Sequence, residues 1–212
     1  MRSASFLIVS LLASAGAAQH GPRLGVGLAT QSANGLFSNT QDMLPAPLAG
    51  WHVEIPLHAQ MSVMPELLWM TKGSLVRNPA QGARTRLALN YLELPVLLKV
   101  SLGRQADGMY LLAGPSAGLF LSGRQQNWLN GQLISNEPYA LQPGQQRIQF
   151  SALAGLGMEG PRWGFDARAQ SSLTPFGQLV RVQSMVYALT VARRFGVKPP
   201  EPIDTGKPAE AP

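Results

Sequence analysis

HVEIPLH, residues 52 to 58, sets His52, Glu54 and His58 at alternate positions, and two imidazoles with a carboxylate form a zinc ligand set. On an extended chain His52 and His58 lie about 20 Å apart, too far to share one ion. HVE also has the His-x-Glu form of a deaminase site, but the chain has no Cys to complete it. GLGMEG (155 to 160) matches a dinucleotide glycine fingerprint, which works only where it opens a helix. Pro161 and the alternating pattern after it deny it one. Ser116, Ser122 and Ser151 are candidate nucleophiles, but no G-x-S-x-G elbow presents any of them. These residues predict no catalytic group, no metal and no cofactor, and the glycines and serines read as small residues of an interior face.

The remaining polar residues with a pattern are charges spaced through apolar runs. In YLELPVLLKV (91 to 100), Leu92, Leu94, Val96, Leu98 and Val100 fall on one face of a strand and Glu93, Pro95 and Lys99 on the other. A helix would carry Pro95 in its interior at a cost of about 3 kcal/mol. The same alternation recurs at 23–30, 50–58, 62–72, 108–122, 147–159, 162–172 and 184–195, making eight runs. In each, one face is apolar and the other mixes glycine, small polar residues and isolated charges. Collected from the second faces, the charges are Glu54, Glu66, Lys72, Glu93, Lys99, Glu159, Asp166, Arg168 and Arg194. A set so mixed in sign can pair across a narrow space.

Two arrangements place such runs. A soluble lipocalin-like barrel turns its apolar faces inward around a ligand, and its outer face needs many long charged residues. A membrane barrel turns the apolar faces to lipid and encloses the polar ones. Only 13% of the 212 residues are charged, against about 25% in a typical soluble domain. That deficit favours lipid outside. The links between runs alternate in length (31–49 long, 59–61 short, 73–85 long, 101–107 intermediate, 123–146 long, 160–161 short, 173–183 long), as external loops and periplasmic turns do in outer-membrane barrels. The expected fold is all-β, an eight-stranded antiparallel transmembrane β-barrel over residues 19–196. Its interior should be filled by the charge network, with Trp51, Trp69, Trp163 and Tyr187 as interfacial aromatics.

Export fits this reading. Arg2, the apolar run Phe6 to Leu12 and the small residues Ala15 to Ala18 have the form of a signal peptide covering 1–18. An exported chain with no Cys depends on burial and backbone pairing, since it has no disulfide. Residues 197–212 are rich in proline without apolar periodicity, and read as a disordered periplasmic tail. The formal charge of +6 does not imply nucleic acid, because Arg77, Arg84, Arg86, Arg124 and Arg181 are scattered among expected loops. Phosphate-bearing lipid headgroups are the acidic neighbours that fit.

The chain resembles the small eight-stranded outer-membrane barrels of the PorT-like type. The residues that carry the likeness are PELLWMTKG (65–73), YLELPVLLK (91–99), YLLAGPSAGLFLSG (110–123), GLGMEG (155–160) and the WGFDARAQSSL run from Trp163. The resemblance implies a closed outer-membrane barrel of a Gram-negative bacterium and supplies no catalytic site. The expected partners are outer-membrane lipid and lipopolysaccharide, with protein partners reached through external loops or the tail. An outer-membrane enzyme or a small pore is the remaining alternative.

Overall fold

The structure, a computed structural model, describes residues 18–33, 41–103, 108–141, 145–175 and 182–196. The expected signal peptide and tail, Ala18 apart, lie outside these residues. Ten strands follow one another: β1 (Gln19–Ala33), β2 (Gln41–Asp42), β3 (Leu44–His58), β4 (Met61–Asn78), β5 (Ala83–Ser101), β6 (Gly108–Leu129), β7 (Gln132–Tyr139), β8 (Ile148–Glu159), β9 (Trp163–Ser172) and β10 (Val182–Arg193). Eight of them form an antiparallel ring in which β1 pairs with both β3 and β10, and β4 pairs with β5. Closure leaves the ring without a free edge to template aggregation. The short β2 adds to the edge of β4 and β7 to that of β6.

The ladder is staggered, as a barrel requires. Gly21 opposes His52, which opposes Glu66; Pro95 opposes Ser116, which opposes Ser151 and then Ser172; Ser184 opposes Gln31. A path that leaves β1 at Gly21 therefore returns to it at Gln31, about ten residues along, and that shear tilts the strands against the axis.

Alternation then sorts every strand. Leu24, Val26, Leu94, Leu156 and Leu189 stand on the outside, each about half exposed or more, while Tyr91, Glu93, Leu97 and Lys99 are buried within. A pocket-lining arrangement of the apolar faces, as in a lipocalin, is not what the chain adopts. The interior also holds apolar clusters. One joins Met64, Leu97, Tyr110, Leu112 and Leu153, and another Leu89, Tyr91 and Phe120.

Two of the links expected to be long are mostly strand. β4 and β5 run on to Asn78 and Ala83 and are joined by a 3-10 turn, Pro79–Gln81, closed by Gly82 at φ 61°. β6 runs on to Leu129 and turns at Asn130 and Gly131, with φ 49° and 81°. Asn-Gly with both residues at positive φ is the preferred two-residue hairpin turn, since its twist matches that of the flanking strands. The WLNGQL stretch carried that signal in the sequence. Hydrogen bonds continue these hairpins beyond the apolar belt, so they project as sheet rather than as irregular loops.

Arginine in place of Leu94, in the middle of the outward belt, should destabilise the barrel in lipid vesicles by about 2–4 kcal/mol. The same change at Leu129, at the tip of a projecting hairpin, should cost about 1 kcal/mol or less by urea unfolding.

Candidate functional site

The interior charges come from six of the eight ring strands and from Arg194 just past β10, and their inward aim follows from parity alone. Near the end of the barrel where β1 begins and β10 ends, Lys99 Nζ lies 2.7 Å from Glu54 Oε1 and 2.5 Å from Glu159 Oε1. Arg194 Nη1 lies 3.2 Å from the other oxygen of Glu159 and donates to the Gly160 carbonyl at 2.7 Å. Ser62 Oγ donates to Glu54 at 2.7 Å. This first tier contains two acids and two bases.

The second tier is the tightest. Arg168 grips Glu66 with both terminal nitrogens, at 2.6 and 3.0 Å, and its Nε reaches Asp166 Oδ1 at 2.5 Å. A planar guanidinium matches a carboxylate in this forked geometry, which sets both orientation and energy. Arg23 completes the tier: its Nε is 3.1 Å from Glu66 Oε1, and Nη1 contacts both Asp166 and, at 2.7 Å, Thr190 Oγ1. Thr190 and Tyr110 donate hydroxyl hydrogens to Asp166 at 2.8 and 3.0 Å.

Toward the far end, Lys72 Nζ lies 2.6 Å from Glu93 Oε1 and donates to Gln149 Oε1 at 2.9 Å. Ser116 and Gln170 donate to Glu93 Oε2 at 2.5 and 3.1 Å. Each tier is neutral by itself. With Arg23 the interior holds five acids and five bases, and no charge lacks an opposite within reach. Arg23 was missed from the sequence because it begins its run, although it shares the parity of Gly25 and Gly27.

The glycines and serines of the inner face make room for these groups. A Cβ on Gly118 would collide with the Glu93 carboxylate, and one on Gly157 with the Tyr110 ring. GLGMEG is thus strand β8 carrying large neighbours, with no helix after it. His52 is buried beside the second tier with Nδ1 unpartnered, opposite Glu66, whereas His58 is exposed at the strand end. The structure does not bring the two together, and among the described residues no group of three His, Asp or Glu could hold a metal ion. Ser116 is bonded to Glu93 inside the ring, whereas Ser122, expected on the inner face, is exposed and accepts from Asn90, because a register shift between β5 and β6 at Asn90 turns it outward.

The four aromatics lie outside the ring. Trp163 opens β9 beside a short turn, under the Arg193 guanidinium at 4.8 Å. Trp51 stacks on His20 at 5.9 Å, Trp69 lies between Ala49 and Leu92 in the ladder, and Tyr187 lies between Leu28 and Ala169.

A closed, staggered eight-strand ring with lipid-like outside and salt-bridged inside is the architecture of a small membrane barrel. The family model described as outer membrane protein beta-barrel domain matches residues 16–177. The chain belongs to that family. Its place is therefore the outer membrane. Among solved structures it is similar to Ail, the attachment invasion locus protein of Yersinia pestis, in complex with the heparin analogue sucrose octasulfate. The TM-score is 0.50 at 13% identity, covering 84% of this chain and 99% of that one. Ail without that ligand gives 0.48 at 12% identity over 84% and 98%, and Neisserial surface protein A gives 0.49 at 12% over 84% and 99%. At such identities the likeness is one of fold. No curated protein matches the sequence.

Removing one member of the second tier leaves two buried carboxylates facing a single guanidinium. Arg23→Gln should cost about 3–5 kcal/mol if the site is dry, measured by urea unfolding in vesicles. Glu93→Gln should behave similarly by stranding Lys72, and Glu93→Leu with Lys72→Met should recover much of that loss.

Proposed function

We propose that this outer-membrane barrel is a structural or interaction protein whose interior is a plug and whose contacts are made by the projecting hairpins. The observation that carries this reading is the stack of three neutral tiers across the lumen. An eight-stranded barrel has an interior only just filled by side chains, and here salt bridges and the clusters around Leu97 and Tyr91 occupy it. Ion passage would require breaking buried pairs at every level. The nine charges Glu54, Glu66, Lys72, Glu93, Lys99, Glu159, Asp166, Arg168 and Arg194, with Arg23, act as this plug and have no catalytic duty.

The outward aromatics contribute to lipid anchoring, Trp163 at the periplasmic interface. Export by a cleaved signal peptide over 1–18, a free periplasmic tail over 197–212 and the PorT-like type rest on the segments quoted from the sequence. Lipopolysaccharide and protein partners belong to the external face.

Planar-bilayer recording of the refolded protein should show no steady conductance. Stable porin-like steps would mean that the tiers open, and would make the barrel a transporter.

A further inference from the structure

The arginines that look scattered in the sequence are gathered by the ladder. Arg77 on β4 opposes Arg84 on β5, which opposes Trp128 on β6. Two residues along β5, Arg86 opposes Gln126, and Ala88 opposes Arg124. Opposed residues share a face, and alternation puts Arg84 and Arg86 on the face away from Leu87 and Leu89, which pack inside with Tyr91. Four guanidiniums and an indole thus occupy one outer wall of the projecting sheet. Arg77, Arg84 and Arg124 are exposed, and the Arg84 guanidinium lies 5.3 Å over the Trp128 ring.

Three features make this a site. It is concave at the hairpin tips, where Arg77, Arg84 and Trp128 line a cavity of about 510 Å³ together with the turn residues Pro79, Gly82 and Gly131. Its positive charge is in excess, since Asp42, paired with Arg77, is the one carboxylate described in an ion pair there. Arg86 Nε is buried without a partner. Cross-strand pairing of like charges, as at Arg77 and Arg84, is unfavourable unless an anion relieves it.

Position selects the anion. Leu121, the last aliphatic residue on the outer face of β6, precedes Arg124 by three residues, about 10 Å of strand. The Arg124 end of the patch therefore stands just beyond the hydrocarbon belt, at the depth of the outer-leaflet headgroups, and its Arg84 and Trp128 end rises a further four residues, about 13 Å of strand, toward the hairpin tips. Arginine forks suit phosphate, and an indole suits the apolar face of a sugar ring.

We infer that Arg77, Arg84, Arg86, Arg124 and Trp128 form a binding site for the phosphorylated sugar headgroup of an outer-leaflet glycolipid. This rests on the orientation in the proposed function, with the β4–β5 and β6–β7 hairpins outside the cell. Arg77 keeps its tie to Asp42, and Arg84, Arg86 and Arg124 supply the charge the ligand neutralises.

The test uses the refolded full chain in phosphatidylcholine vesicles or detergent, with bisphosphorylated lipid A as probe and its dephosphorylated form as control. Wild type should retain the phosphorylated lipid at least tenfold better than the control, and added salt should weaken retention. Arg84→Glu with Arg124→Glu should abolish that preference, and Trp128→Ala should reduce binding to both lipids. Heat-modifiable gel mobility confirms that each variant is a folded barrel. Equal retention of the two lipids by wild type, or a preference unchanged in the folded double variant, overturns the site. Full competition by a soluble sulfated glycan at matched phosphate and sulfate concentration overturns the lipid headgroup in favour of a soluble polyanion. Bilayer conductance of the same preparations is read separately: silent channels with unchanged lipid preference sink only this inference, while open channels sink the plug and leave the site standing.

Discussion

Ten charged side chains share the interior of one eight-stranded ring, and each has an opposite charge within 3.2 Å. The rest of the molecule depends on that pairing. Desolvating so many ions would cost several kcal/mol each if they stood alone, so the strands that carry them have to meet in one register. A slip of one residue on any strand would turn its charges to lipid and its leucines inward. The forked grip of Arg168 on Glu66, joining β9 to β4 across the lumen, and the contacts of Arg23 from β1 to β4 and β9 therefore specify which ladder closes. Apolar alternation alone defines faces, while the salt bridges define partners.

The glycines of the inner wall have their reason in the same constraint. A narrow ring cannot hold Glu93, Tyr110 and Leu112 and also a side chain at every inward position. Gly118, Gly157 and Gly155 lie under those groups, where a Cβ would collide. The division of labour along the axis follows as well. The charges of the membrane-spanning part are paired with one another, and the part with unneutralised charge is the sheet that continues beyond the apolar belt. There the inward face is packed by Leu87, Leu89 and Tyr139, which leaves the arginines on the outer wall.

The interior charges are paired with one another, and the exposed arginines Arg77, Arg84 and Arg124 stand on the projecting sheet. The chain shares its fold and family with outer-membrane β-barrel domains.

Period-two alternation was sufficient to read eight strands, their inward and outward residues and nine of the ten interior charges, because in a ring with lipid outside each residue's environment changes sign at every step. Arg23 escaped because a run's first residue has no alternation before it. Strand ends and the outer hairpins escaped too: beyond the lipid both faces of a sheet are wet, the alternation fades, and only local turn signals such as Asn130-Gly131 remain. Which charges pair was decided by the tertiary structure alone, since Arg23 meets Asp166 across 143 positions of chain only through shear and closure. The same holds for the outer arginines. Arg77, Arg84, Arg86 and Arg124 are separate in the sequence, and become one surface only because adjacent hairpins stack their opposed residues side by side.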